Sequence, residues 1–189
     1  RTLEELCSLH RYVCSEKNNK YYLIKKVIFS SILNRCSSQR EHYTYVTDSC
    51  FPKKLVYINA IDQYLNQAKL VNQSAKIFRR QYELTHGKTW SSSCGLVSIG
   101  DARDINFLKD GTVDCVLTSP PYLGVNDYTR SMRLTWLFFP ETRVKEAIEN
   151  EIGSRRKRFR KNAYHDYIND MEKSFSEISR ILKPSGYLC

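Results

Sequence analysis

The sequence predicts an α/β fold in which a helical first half is followed by short strands and one long amphipathic helix. Two observations support this prediction. Residues 1–87 carry apolar side chains at helical spacing, and residues 88–189 alternate short apolar runs with turns. We therefore expect a helical arm or linker over 1–87 and a separate region over 88–189. With 41% hydrophobic residues, the chain has enough apolar side chains to bury a core.

Two helices are predicted in the first half. One covers residues 21–33, where apolar side chains recur three or four positions apart. The other covers residues 53–83, and Gly87 lies just beyond it as a stop signal. Residues 43–46 between them alternate and predict an extended segment. We interpret the apolar and aromatic side chains of this half as packing surface rather than as a cofactor site.

Three strands and one helix are predicted in the second half. Residues 95–99 form the first strand, and residues 113–118 form a second strand that stops at two prolines, which cannot continue a ladder. A helix over 164–182 has one apolar face, and residues 187–189 begin the third strand. Ligands of such sheets bind beyond the carboxyl ends of the strands. We therefore expect a site at the turns that follow the first two strands.

Charge and cysteine usage narrow the classes of function. Lysine and arginine number 30 against 20 acidic residues, and this net charge of +10 is typical of proteins that bind nucleic acid. The seven cysteines form no C-x2-C pair, so we expect no metal site and no disulfide framework, and we interpret Cys115 as core.

The chain has no signal peptide and no apolar run that could span a membrane, which predicts a cytoplasmic protein. Because the first residue is Arg1, we expect a piece of a longer protein.

The tetrapeptide Ser119-Pro120-Pro121-Tyr122 has the residue types needed to methylate the exocyclic amine of a base. The lone pair of such an amine is delocalised into the ring, and acceptors directed at its hydrogens would free it. Ser119 would supply a hydroxyl and Pro120 a carbonyl, while the prolines fix the turn. Tyr122 would stack on a base flipped out of the duplex. The chain has no Pro-Cys dipeptide, which argues against the cysteine route to carbon-5 methylation.

The segment 113–122 resembles motif IV of the S-adenosylmethionine-dependent DNA amino-methyltransferases, which modify cytosine N4 or adenine N6. Four further segments match that family in order and spacing, so the resemblance covers about residues 95–189: 100–104, 123–130, 152–156 and 181–188. It implies a partial Rossmann-like class I methyltransferase sheet preceded by the helical arm. It also implies that Ser119, Pro120, Pro121 and Tyr122 are catalytic. Serine typically begins the tetrapeptide of the cytosine-N4 enzymes, so Ser119 favours cytosine N4.

The resemblance implies a cofactor site as well. Asp101 would accept the adenine amine of S-adenosylmethionine, and Ala102 and Ser119 would contact the same cofactor. The chain departs from the family because it lacks the glycine-rich Phe-x-Gly-x-Gly loop that grips the methionine end. We expect that loop before Arg1 or on a second subunit.

Double-stranded DNA is the implied partner, in a bacterial restriction-modification or phage-defence setting. Asn126, Tyr128 and Arg130 would line the target-base pocket and the DNA face. The basic run 154–161 would contact phosphates, although such runs are often solvated loops. Its candidate residues are Arg155, Arg156, Lys157, Arg158, Arg160 and Lys161.

Three alternatives remain open on the sequence. The acceptor could be adenine N6. Related tetrapeptides serve RNA guanine amines and protein glutamine amides, although those usually begin with aspartate or asparagine. In the third alternative the chain is a non-catalytic DNA-binding module, which the missing glycine-rich loop favours and the intact tetrapeptide disfavours.

Overall fold

The computed structural model describes residues 1–37, 55–91, 95–140 and 144–189. The chain divides into two compact units. Unit 1 comprises Arg1–Gly95 and Arg130–Arg143, and unit 2 comprises Leu96–Thr129 and Val144–Cys189. The predicted extended segment at 43–46 lies outside the described residues.

Unit 1 is helical in its described parts. Helix α1 covers Thr2–Ser15, α2 covers Tyr22–Leu33 and α3 covers Ala60–His86. The predicted helices are confirmed, but α3 begins at Ala60 because the Asn59 side chain accepts a hydrogen bond from the Asp62 N–H and caps the helix there. Gly87 ends α3 in the left-handed conformation with φ 63°, which confirms the predicted stop.

The core of unit 1 lies where α1, α2, the first turns of α3 and the short helix α5, Arg133–Phe138, meet. Val13, Phe29, Ile32 and Phe139 are fully buried in it. The rings of Phe29 and Phe139 pack edge to face with centroids 5.8 Å apart. These contacts agree with the interpretation of the helical half as packing surface.

Unit 2 contains an α/β arrangement around a small parallel sheet. Strand β1 covers Val113–Val116, helix α7 covers Ala163–Ile181, and strand β2, Leu182–Leu188, follows α7 directly. In the described part of the chain the sheet consists of β1 and β2, so the α/β class is confirmed and the fuller Rossmann-like sheet stays a prediction. Two further short helices are α6, Val144–Asn150, in unit 2, and α4, Tyr128–Ser131, whose last two residues belong to unit 1.

The strand predicted at residues 95–99 is wrong. Residues 95–100 have no regular structure, and Leu96, Val97 and Ile99 are almost fully exposed. A strand needs a neighbour for its backbone groups, and no described segment pairs with this one. For the same reason Cys115 is exposed rather than buried: no described layer covers its side of β1.

Pairing between β1 and β2 is irregular around Gly186. Val113 pairs with Leu182 and Cys115 with Tyr187, so β2 carries extra residues between the two pairs. A Cβ on Gly186 would lie 2.9 Å from the Leu182 side chain and 3.1 Å from the carbonyl oxygen of Asp114. The bulge therefore requires glycine at this position. None of the described helices has the length and apolar character needed to cross a membrane.

Candidate active site

The tetrapeptide begins where the β1–β2 ladder ends. The Cys189 N–H donates to the Val116 carbonyl and the Thr118 N–H donates to the Cys189 carbonyl, each at 2.9 Å. Ser119 and Pro120 come next and are exposed, and Tyr122 is 73% exposed. The end of the sheet thus presents the hydroxyl, the first proline and the aromatic ring of the tetrapeptide to solvent.

Tyr167 of α7 holds the far side of the tetrapeptide. Its hydroxyl donates to the Pro121 carbonyl at 3.0 Å across a sequence separation of 46 residues. The tyrosine ring lies against Gly153, where a Cβ would come within 2.9 Å of ring atom Cδ2. The carbonyl oxygen of Gly153 in turn accepts a hydrogen bond from the Gly124 N–H at 2.8 Å. Gly124 lies two residues after the tetrapeptide. Sequence reasoning did not find Tyr167, because its partner is distant in the chain.

Asp101 lies in the turn predicted to bind the cofactor and is paired with Arg103. Oδ1 of Asp101 accepts from the backbone N–H and from Nε of Arg103, both at 2.9 Å, and Oδ2 accepts from a terminal guanidinium nitrogen at 2.6 Å. These hydrogen bonds lower the pKa of Asp101. The carboxylate is therefore charged near neutral pH, and Oδ2, which accepts one hydrogen bond, keeps a lone pair with which it could accept from a ligand amine.

One face of α7 connects the loops of unit 2. Asp170 accepts from Arg103 at 2.8 Å, and Glu177 accepts from the Ile105 N–H at 2.8 Å. Arg180 donates to the Leu108 carbonyl and to Asp110 at 3.0 and 2.6 Å. Four polar side chains of α7 thus lie on one face of the helix, at positions 167, 170, 177 and 180. Their helical spacing in the sequence was a signal that could have identified this polar face.

A buried polar network ties the segment after the tetrapeptide to the basic run. The side chains of Asp127 and Glu151 are 5% and 7% exposed. Arg156 donates to the Thr129 hydroxyl at 2.6 Å and pairs with Glu151 at 3.3 Å and with Asp127 at 3.5 Å. The Thr129 hydroxyl donates to Glu151. Arg156 therefore neutralises carboxylates that would otherwise be buried without a cation.

The other basic residues of the run occupy different surroundings. Lys157 donates to the carbonyls of Glu149 and Glu151 at 2.6 and 2.8 Å, and partial burial lowers its pKa. Arg158 lies over the Phe159 ring at 4.4 Å from its centroid. The described part of the chain shows no ion pair for Arg155, Arg160 or Lys161, and all three are exposed. Residues 155–157 form a short 3-10 helix rather than an irregular loop.

The structure places the remaining predicted DNA contacts in both units. Asn126 and Tyr128 lie in unit 2, and the Asn126 amide donates to the Tyr128 hydroxyl at 3.3 Å. Arg130 lies in unit 1. Tyr128 is 53% exposed and Arg130 is also exposed. Ala102, the second predicted cofactor contact, is exposed beside Asp101.

A pocket of about 250 Å³ opens in unit 2 beside the tetrapeptide. Leu123, Gly153 and Tyr167 line one part of it, and Lys157 and Asp170 are among its charged residues. Within the described ranges, no cluster of histidine, cysteine and acidic side chains is arranged to hold a metal ion.

Comparison with curated proteins links half of this chain to a methyltransferase. A stretch of 97 residues is 31% identical to the Type II methyltransferase M.SmaI of Serratia marcescens. The chain is similar to a methyltransferase. The matched stretch is 51% of this chain and 25% of that protein, so the chain spans about a quarter of the relative it matches. No protein-family model matches the chain, and no solved structure matches it.

Proposed function

We propose that this chain carries the target-base site of an S-adenosylmethionine-dependent DNA methyltransferase that modifies cytosine N4. One observation carries the proposal: the tetrapeptide 119–122 follows the end of β1 with Ser119 and Tyr122 exposed. Its Pro121 carbonyl is fixed by a hydrogen bond from the Tyr167 hydroxyl. The similarity to a Type II methyltransferase supports methyl transfer as the reaction class.

Ser119 and Pro120 act as acceptors in this proposal. The Ser119 hydroxyl and the Pro120 carbonyl take hydrogen bonds from the exocyclic amine, which pyramidalises the nitrogen and makes its lone pair available. The ring of Tyr122 stacks on the flipped base and holds the amine in line for attack. Serine at position 119 supports cytosine N4 over adenine N6. Bound S-adenosylmethionine would supply the activated methyl group.

Asp101 fits the adenine end of that cofactor because it is an ionised acceptor in a turn on unit 2. We propose that it accepts the adenine amine while it stays paired with Arg103, and that Ala102 and Ser119 line the same site. The sequence contains no glycine-rich loop for the methionine end, so we propose that a further segment or a second subunit supplies it. Residues 88–189 are then the catalytic part and residues 1–87 the helical arm.

DNA phosphates are proposed to bind the exposed part of the basic run. We assign this role to four exposed residues of the run: Arg155, Arg158, Arg160 and Lys161. Arg156 and Lys157 are occupied within the protein, and we propose that they order the run. Asn126, Tyr128 and Arg130 are proposed to contact the target nucleotide and its neighbours. A restriction-modification system is the setting that this activity would serve.

The test is product analysis. The purified chain is incubated with labelled S-adenosylmethionine and mixed-sequence duplex DNA, with and without a polypeptide that carries a Phe-x-Gly-x-Gly loop, and the digested nucleosides are identified by mass spectrometry. We expect N4-methylcytosine. Ser119→Ala should lower the transfer rate about 100-fold, as the loss of a transition-state hydrogen bond does, with DNA affinity nearly unchanged. Ser176→Ala, which alters an exposed serine on α7, is the control.

The other outcomes separate the alternatives. N6-methyladenine would keep the reaction class and contradict the interpretation of Ser119. DNA binding without a methylated product under either condition would overturn the proposal in favour of a non-catalytic DNA-binding module.

A further inference from the structure

Between the Cα atoms of Ser119 and Tyr122, the backbone of the tetrapeptide has one torsion that proline chemistry leaves free. The rings of Pro120 and Pro121 fix φ at both positions. A residue that precedes proline is held in the extended region, which restricts ψ of Ser119 and of Pro120. Pro121 is followed by Tyr122, so ψ of Pro121 is unrestricted by these rules. This torsion sets the plane of the peptide between Pro121 and Tyr122 and, together with φ and the side-chain torsions of Tyr122, where the Tyr122 ring lies.

The hydroxyl of Tyr167 acts on that free torsion. Rotation about ψ of Pro121 moves the Pro121 carbonyl oxygen, and this oxygen accepts the Tyr167 hydroxyl at 3.0 Å. A hydrogen bond to the oxygen therefore fixes the peptide plane between Pro121 and Tyr122. The tyrosine can hold the plane because its own ring is confined against Gly153, which has no side chain to displace it.

Tyr167 is itself fixed by the helix that carries it. Asp170, one turn further along α7, pairs with Arg103 at 2.8 Å, and Arg103 also pairs with Asp101. The same turn of helix thus contacts both segments of the proposed site, the tetrapeptide and the Asp101 turn.

We infer that Tyr167 is a positioning residue, which sets the orientation of Tyr122 by fixing the backbone at Pro121. Only the catalytic consequence of this inference rests on the proposed function. Its structural part concerns the tetrapeptide alone and can be tested without turnover.

The variant Tyr167→Phe tests the inference because it removes the hydroxyl and keeps the ring against Gly153. Tyr164→Phe is the matched control, since Tyr164 lies three residues earlier on α7 and is 71% exposed. Hydrogen exchange of a peptide covering residues 117–125 is measured on both variants by mass spectrometry, beside the thermal unfolding temperature. We expect Tyr167→Phe to speed exchange in this peptide about tenfold, as the loss of one hydrogen bond does, while the unfolding temperature falls by only about 2–4 °C. Unchanged exchange would overturn the inference.

Single-turnover kinetics test the catalytic consequence. We expect Tyr167→Phe to slow methyl transfer about tenfold at saturating DNA and cofactor, while both dissociation constants stay within about twofold of the wild-type values. An unchanged rate, or a loss confined to DNA or cofactor affinity, would overturn the role assigned to the hydroxyl. If the wild-type chain transfers no methyl group with or without the Phe-x-Gly-x-Gly polypeptide, the proposed function fails, and the exchange result alone decides whether Tyr167 orients the tetrapeptide.

Discussion

Gly153 is the residue on which the contact between Tyr167 and the tetrapeptide depends. It has a φ of 64°, a left-handed conformation that side chains disfavour, and a Cβ there would lie 2.9 Å from the Tyr167 ring. Gly111 has nearly the same φ, 61°, but no atom within 4 Å of its Cβ position. The two glycines therefore differ in crowding and not in backbone strain.

We predict that Gly153→Ala destabilises the protein by about 2–3 kcal/mol, of which about 1 kcal/mol is backbone strain and the rest displacement of the tyrosine ring. Gly111→Ala should cost about 1 kcal/mol, the strain alone. Urea unfolding of both variants measures the difference. Equal losses for the two would show that the ring does not press on Gly153.

Helix α7 shows what local sequence predicts at the scale of an element and what it does not. Its extent follows from apolar residues at helical spacing, and the observed bounds, Ala163–Ile181, differ from the predicted ones by one residue at each end. The segment 95–99 has the composition of a strand but no described neighbour, because strand formation depends on partners that a local pattern does not contain. The hydrogen bond from Tyr167 to Pro121 was missed for the same reason.

The tetrapeptide was predicted as a candidate site from its residue types together with the order and spacing of the matching segments, and the Asp101 turn was predicted from that resemblance. The sequence did not predict that Asp101 would be paired with Arg103, nor that some residues of the basic run would be paired within the protein while others are exposed without an ion pair in the described residues. Those properties depend on side chains brought together by folding. Arg156 and Arg155 are neighbours of the same type, and only Arg156 contacts Asp127, which lies 29 residues away.

A pH-dependent contact joins α7 to the loop after Asp101. Hydrogen bonds from Arg180, and then from the Ile105 N–H, lower the pKa of Glu177 from 4.5 to about 2. A carboxyl group with a lowered pKa stabilises the folded state fully above its unfolded pKa, and the contribution disappears as the pH falls toward its folded pKa.

We therefore predict that Glu177→Gln lowers the unfolding temperature at pH 6 and that its difference from the wild type shrinks steadily as the pH falls from about 5 to 3. Glu172→Gln changes an exposed glutamate on the same helix and should show no such trend. Thermal unfolding followed by circular dichroism across this range measures the effect. A difference between Glu177→Gln and the wild type that does not change with pH would contradict the assignment.

At the scale of the whole molecule, the basic residues behind the net charge of +10 differ in whether they pair with carboxylates of the protein or are exposed to solvent. Within the basic run, Arg156 pairs with the buried carboxylates of Asp127 and Glu151, whereas the neighbouring Arg155 is exposed and has no ion pair in the described residues. Net charge alone would predict equal effects for removing either arginine, since each substitution lowers the charge by one. Burial of the two carboxylates predicts unequal effects.

We predict that Arg156→Ala destabilises the protein by about 3 kcal/mol, because Asp127 and Glu151 lose their cation, and that Arg155→Ala changes stability by less than about 0.5 kcal/mol. DNA binding should show the reverse order. Arg155→Ala should reduce the slope of log K against log salt by about 0.9, the value for one phosphate contact, whereas Arg156→Ala should leave the slope nearly unchanged. Urea unfolding, together with fluorescence anisotropy on a duplex between about 50 and 200 mM salt, measures both quantities. A slope for Arg155→Ala equal to that of the wild type would show that the exposed arginine makes no phosphate contact, and the DNA affinity of the chain would then have to come from its other basic residues.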